Sequence, residues 1–182
     1  DVGGGTADFS VVRVSPEGKA KLSREGDVLA SHGVHIGGTD FDRALNMRCA
    51  MPVLGSGTLM SSAFDDGQMR PVPAHHFAEL ATWHKINLQY TPKNIADARA
   101  LLRTAQEPDK IEKLVEVLEH RRGHELAMAV EAAKIHLTDV PLSAIKMPLE
   151  PRPEFIEVSR EDLREAIGGM VEKLTIAQEE TL

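Results

Sequence analysis

From residue 74 to residue 138 apolar residues recur every three or four positions, whereas residues 9–14, FSVVRV, follow strand-like alternation. These two periods cannot be exchanged. A period near 3.6 gathers side chains on one face of a helix, and a period of 2 gathers them on one face of a strand. The chain is therefore expected to be α+β, with a β-hairpin, a helical part carrying a small antiparallel sheet, and a helix at its C-terminal end.

The hairpin is predicted from strand 9–14, a Pro-Gly turn at 15–18 and a second strand within 19–30 that breaks near Gly26. Thr39 and Asp42 are spaced as an N-cap and its N3 acid, which predicts a helix from about Asp40 to about Ala50. Residues 51–73 read as a long, exposed, irregular connection. Phe77, Leu80, Ala81, His84 and Leu88 predict one helical face. Pro92 and Asn94 start another helix, and Pro108 ends it. Asp109 with Glu112 is spaced to cap a third, and the apolar period then runs from Ile111 to Leu137 with Gly123 as its one weak point. Two short strands are expected within 141–150 and 153–158. Ser159 and Asp162 are spaced to cap a last helix, with Leu163, Ile167, Met170, Leu174 and Ala177 on one face. The expected division is 1–36, 37–158 and 159–182.

Aromatic residues make up only 4% of the chain, so the core must rest on aliphatic side chains and Met. The net charge is −7, and no basic stripe with interleaved aromatics points to nucleic acid. No apolar run approaches bilayer length. Cys49 is the single cysteine, which fits a reducing, cytoplasmic setting. Asp1 as first residue predicts a segment of a longer protein.

The chemically specific stretch is DVGGGTAD, residues 1–8. Gly3, Gly4 and Gly5 allow close approach to the main chain, and successive N–H groups there can form a concavity for phosphate oxygens. Asp1 could hold Mg²⁺ through water, and the Thr6 hydroxyl could touch a terminal phosphate or an attacking water. No helix follows the glycines and no Gly-Lys-Ser/Thr is present, so neither the dinucleotide fingerprint nor a Walker loop is matched. Elsewhere, His120 and His124 have i, i+4 spacing but lack a third ligand. Ser56 lacks a nucleophile elbow, and Cys49 reads as packed.

DVGGGTADFSVV resembles the second phosphate loop of the actin/hexokinase/heat-shock ATPase superfamily. GVHIGGTDFDRAL resembles the GGxDFD segment of the DnaK-type chaperones, and LAMAVEAAKIHLT resembles their adenosine-contacting helix. The long helical insertion at about 51–120 is similar to the shortened, divergent DnaK-like chaperones of the YegD type. The resemblance implies a fragment of an actin-like ATPase lobe, within the ATP-binding domain of a molecular chaperone. It implies ATP or ADP with Mg²⁺, a monovalent cation, a missing lobe completing the site, and a nucleotide exchange factor or client as partners.

By resemblance, Asp1 lies near Mg²⁺ and the phosphates, and Gly3, Gly4 and Gly5 offer N–H groups to them. Thr6 contacts the γ-phosphate or the attacking water, and Asp8 matches an acid near the monovalent cation. Gly38 brings backbone close to the nucleotide. Glu131 and Lys134 match the ribose contacts, and Thr138 matches a serine near adenine. Ile135 stands where the family has an adenine-stacking Arg, so the cation–π contribution is lost. Thr39 replaces the Glu of GGEDFD. The family's first phosphate loop, its catalytic Lys and Glu and its later adenosine loop have no counterpart here, so the piece itself is not expected to hydrolyse ATP. Two alternatives remain open at this point: another kinase of the same fold, and a non-catalytic interaction module with a vestigial nucleotide site.

Overall fold

The computed structural model describes residues 1–14, 25–61 and 68–182. The turn expected at 15–18 and the strand residues 19–24 lie outside the described residues, as do residues 62–67 of the expected connection. The described elements are of mixed α+β class, with three two-stranded antiparallel sheets and a long C-terminal helix. No described helix is long and apolar enough to cross a membrane. The chain divides into two compact units, Asp1–Phe41 with Ile167–Leu182, and Asp42–Ala166.

In the first unit, β1 (Ala7–Val12) pairs with β2 (Val28–Val34) from Ala7↔Val34 to Val12↔Val28, with an irregularity between Val11 and Val12. The strand starts two residues earlier than the alternation suggested, and its described partner overlaps 19–30 only at Val28–Ala30 and runs on to Val34. The hairpin therefore closes directly onto the glycine loop. Each strand has one edge without a ladder partner among the described residues. Ala7, Ile36 and Ala177 are buried here.

Helix α1 (Gly38–Leu45) begins in this unit and gives way at Asn46–Ala50 to a wider π turn. Thr39 is not its N-cap. The capping pair lies two residues earlier: the Gly37 N–H donates to Asp40 Oδ2 at 2.9 Å, and Gly37 O accepts the Asp40 N–H at 3.0 Å. The Thr39 hydroxyl instead donates to the Gly4 carbonyl at 2.6 Å, a partner too distant in sequence for local pattern to reveal.

The second unit holds one continuous apolar core. Residues from the expected insertion, such as Met51, Leu54, Phe77 and Leu118, share it with Leu126 and Ile145 from outside that segment. The described residues of 51–73 are thus neither wholly exposed nor irregular. A 3₁₀ turn at Met51–Leu54 is buried, and β3 (Leu59–Ser61) pairs with β4 (Met69–Pro71).

Helix α2 (His75–Leu80) is shorter than the apolar spacing implied. Thr82 is extended (φ −104°, ψ 108°), and a 3₁₀ segment follows at Trp83–Tyr90. Ile86 and Gln89 are buried at the 3₁₀ spacing of three, while His84 and Leu88 face outward. Helix α3 (Pro92–Leu101) starts on Thr91, whose Oγ1 accepts the Asn94 N–H at 3.2 Å, with Pro92 at the first helical position. Pro108 opens α4 (Pro108–Glu119) rather than ending α3, and Glu107, not Asp109, holds the cap position without a capping side-chain bond.

The apolar run from 111 to 137 is not one helix. It breaks at residues 120–122, where Arg121 has φ 55°, and α5 (Gly123–Asp139) begins. His120 and His124 therefore do not share a helix face. His124 packs edge-on against Trp83, with ring centroids 4.9 Å apart. Strands β5 (Leu142–Met147) and β6 (Glu154–Ser159) pair from Leu142↔Ser159 to Met147↔Glu154.

Helix α6 (Arg160–Thr181) has the expected capping box. Ser159 N–H donates to Asp162 Oδ2 at 2.9 Å, and Asp162 N–H donates to Ser159 Oγ at 3.1 Å. The Ser159 hydroxyl, donating to Asp162 Oδ2 at 2.6 Å, and then the Ser159 N–H hold the Asp162 carboxyl below its ordinary range.

A buried polar relay sits beside α2. His76 Nδ1 lies 3.0 Å from Gln89 Oε1, and the Gln89 amide donates to Glu79 Oε2 at 2.5 Å. Burial lowers the His76 pKa from its ordinary 6.5, with the Gln89 bond working against the shift. The ring is thus neutral in the fold and takes up its proton more readily when unfolded. By linkage, stability is complete above about pH 6.5 and is lost as pH falls from there through the lower folded value. Urea midpoints are expected to drop between pH 7 and pH 5, with part of that slope abolished in His76→Gln. A slope unchanged by the substitution would contradict this assignment.

Candidate functional site

In the first unit Val2 and Ala7 form an antiparallel bridge, and residues 3–6 make the loop between them. Gly3 N–H donates to Thr6 O, and Asp8 N–H to Asp1 O, each at 2.8 Å. The next three amides, those of Gly4, Gly5 and Thr6, have no acceptor among the described residues and lie on the exposed side. The carbonyl sides of the first two of these peptides are occupied. Gly3 O accepts the Gly38 N–H at 2.9 Å, and Gly4 O accepts the Thr39 N–H at 2.8 Å. A trans peptide points its N–H away from its C=O, so anchoring these carbonyls on the start of α1 turns the amides of Gly4 and Gly5 away from it.

Gly4 and Gly5 have no evident use inside the described part of the chain, whereas a Cβ on Gly3 would meet Thr6 O at 3.4 Å. Among the described residues only Gly55 and Gly57 have positive φ among the glycines. A Cβ on Gly5 would meet nothing within 4 Å, and one on Gly4 only the Thr39 methyl at 4.0 Å. Gly37 is different. A Cβ there would fall 2.5 Å from Gly4 C and Gly5 N, so its bare Cα lies directly on the Gly4–Gly5 peptide. The Gly37–Gly38 doublet in the sequence was the available signal for this contact.

Beside the loop, the Asp1 amine donates to Asp8 O at 2.9 Å, and the Thr6 hydroxyl lies 3.5 Å from Asp8 Oδ2. Asp1 and Asp8 line one shallow cleft of about 250 Å³, together with residues that include Ser10, Gln178 and Thr181. Two carboxylates and a hydroxyl are hard oxygen donors. They suit a cation that keeps most of its water, such as Mg²⁺ or a monovalent ion. Among the described residues no group of three or more His, Cys, Asp or Glu could hold a metal by itself.

In the second unit, the residues expected to meet ribose and adenine lie on α5. Glu131, Ile135 and Thr138 are exposed, with Ile135 57% exposed. Lys134 is not presented with them. Its Nζ forms an ion pair with Asp42 Oδ1 at 2.7 Å, and both side chains are largely covered. Burial raises the Asp42 pKa, and Lys134 opposes that shift. The Thr138 hydroxyl donates to Ile135 O at 2.7 Å, within its own helix. Arg160 closes the end of α5, donating to Leu137 O at 2.9 Å and Thr138 O at 3.2 Å. A guanidinium at a helix C-terminus satisfies orphan carbonyls and opposes the helix dipole.

No protein-family model matches the sequence. Of the remaining sequence candidates, Cys49 is half-buried, and burial pushes its thiol up to about 11, so it is no nucleophile. Ser56 sits in a turn between Gly55 and Gly57, its N–H donating to Met51 O at 3.0 Å.

Proposed function

We propose that this chain is part of the ATP-binding domain of a DnaK-like molecular chaperone and contributes its second phosphate loop. The observation that carries the reading is the run of three amides in exposed residues without acceptors among the described residues, at Gly4, Gly5 and Thr6, where a side chain on Gly4 or Gly5 would meet no clash. Successive main-chain N–H groups of this kind bind anionic oxygens. Gly3 supports the loop through its bond to Thr6 rather than offering its own amide. The Thr6 hydroxyl would serve a terminal phosphate or attacking water, and Asp1 and Asp8 would hold a cation. Mg²⁺, when bound, would neutralise phosphate charge. Phosphoryl transfer depends mostly on such positioning and charge stabilisation, and the missing lobe would supply the remaining groups. An exchange factor and a client protein belong to the same proposal.

Helix α5 would face the nucleoside through Glu131, Ile135 and Thr138, with Gly38 near the phosphates. Lys134 is held by Asp42, so a ribose contact from Lys134 requires that ion pair to be exchanged. The aliphatic Ile135 offers packing to a base but no cation–π attraction.

The test is a calorimetric titration of Mg-ATP into the full-length protein and its Ile135→Arg variant. Because Ile135 is exposed, Arg should enter without loss of packing. Binding in the native protein, tightened about two- to tenfold by Arg, is the expected result. Absence of binding in both would reject the reading and favour the interaction module.

A further inference from the structure

We infer that Thr39 is a positioning residue for the phosphate loop, its hydroxyl holding and polarising the peptide that presents the Gly5 amide. The inference rests on the phosphate reading proposed above and adds a residue to it. Gly4 O accepts two hydrogen bonds from Thr39, one from its N–H at 2.8 Å and one from its Oγ1 at 2.6 Å. The first needs no special residue, because the opening amides of any helix lack partners within the helix. The second is available only from a hydroxyl at this position. Thr39 is exposed, so water could have satisfied that hydroxyl, yet it turns onto the loop.

The Gly4 carbonyl and the Gly5 N–H belong to one peptide unit. Two donors on its oxygen draw electron density from the nitrogen and make the N–H a stronger donor, because linked hydrogen bonds polarise one another. They also restrict rotation of the peptide, so the Gly5 amide keeps its outward aim in the absence of ligand. Gly37 supports the same peptide from its other contact, with its Cα against Gly4 C and Gly5 N. The neighbouring Gly3–Gly4 peptide receives a single donor, the Gly38 N–H. Thr39 therefore acts on Gly5 more strongly than anything acts on Gly4. A Cβ built on Gly4 would come no nearer to the Thr39 methyl than 4.0 Å, whereas the hydroxyl bonds the Gly4 carbonyl directly.

The experiment uses magnesium pyrophosphate as probe and follows the amide resonances of Gly4, Gly5 and Thr6 by NMR. Native protein is compared with Thr39→Val and Thr39→Ser. Val keeps the backbone bond and the shape, and Ser keeps the hydroxyl. The expected result is saturable shifts in the native protein, affinity about three- to tenfold weaker in Val, and recovery to within about twofold in Ser. Thermal unfolding should be the same in all three. Equal affinity in native protein and Val would overturn the role of Thr39 while leaving the phosphate site standing. Equal loss in Val and Ser would also overturn it, because a hydroxyl at this position would then fail to restore binding. Unmoved amides in the native protein would remove the phosphate reading itself, and this inference with it.

Discussion

Replacing Gly37 by Ala should abolish most phosphate binding at the glycine loop while leaving the second unit folded. The added Cβ would lie 2.5 Å from Gly4 C and Gly5 N and 2.6 Å from Gly4 O. All three are backbone atoms, so no side chain can swing aside. Carbon contacts settle near 3.5–4.0 Å, and either the loop or the start of α1 must therefore move by about 1 Å. Gly37 is poorly placed to yield. Its N–H is held by Asp40 Oδ2, and its carbonyl accepts the Asp40 N–H. The loop is the softer partner, and its displacement disturbs the peptide that presents the Gly5 amide. Overpacking of this kind costs about 1–3 kcal/mol, which corresponds to roughly five- to 150-fold in affinity if it falls on the bound geometry. Gly5→Ala is the informative companion. Its Cβ meets open space, so stability should be unchanged while binding falls, because the methyl occupies the space of the ligand. Binding retained in Gly37→Ala would show that the loop geometry described above is not the one that matters.

Gly123→Ala should destabilise the second unit. A Cβ there would lie 2.7 Å from Ile86 Cγ2 and Leu80 Cδ1, and 2.8 Å from Tyr90 Oη. Ile86 and Leu80 are fully buried, and the Tyr90 hydroxyl accepts the Gly123 N–H at 2.9 Å. Helix propensity alone favours Ala over Gly by about 1 kcal/mol in a helix interior, and less at a first position. The overpacking term of about 1–3 kcal/mol is larger and opposite, and any loss of the Tyr90 bond adds about 1 kcal/mol. The net effect should lower the unfolding midpoint by several degrees, at about 3–6 °C per kcal/mol for a unit of this size. A raised midpoint would mean that propensity outweighs packing at this position.

The same two glycines show what was legible in the sequence. Gly123 was visible only as a low-propensity residue in an otherwise continuous helical period. The period is real, since Ile111, Leu118, Leu126 and Leu137 are all buried. The break at 120–122 depends on Tyr90 and on the packing of the 3₁₀ segment, partners some thirty residues away. Local signals with local partners were readable: the Ser159–Asp162 box formed, and a helix does start at Pro92, although its Thr91 cap was not foreseen. Thr39 illustrates the limit. The spacing of Thr39 and Asp42 fits a cap, and so does that of Gly37 and Asp40. What decides between them is the Gly4 carbonyl, which claims the Thr39 hydroxyl. The pairing of Lys134 with Asp42 was hidden for the same reason. At the glycine loop the residue types suggested the chemistry, whereas the outward direction of the amides is set by long-range bonds from Gly38 and Thr39.

The most direct measurement is an amide NMR titration of the full-length protein with Mg-ATP. The account predicts that the resonances of Gly4, Gly5 and Thr6 shift together and saturate, with Gly37→Ala suppressing the response. Resonances that stay fixed up to tens of millimolar nucleotide, while the chain remains folded, would contradict it.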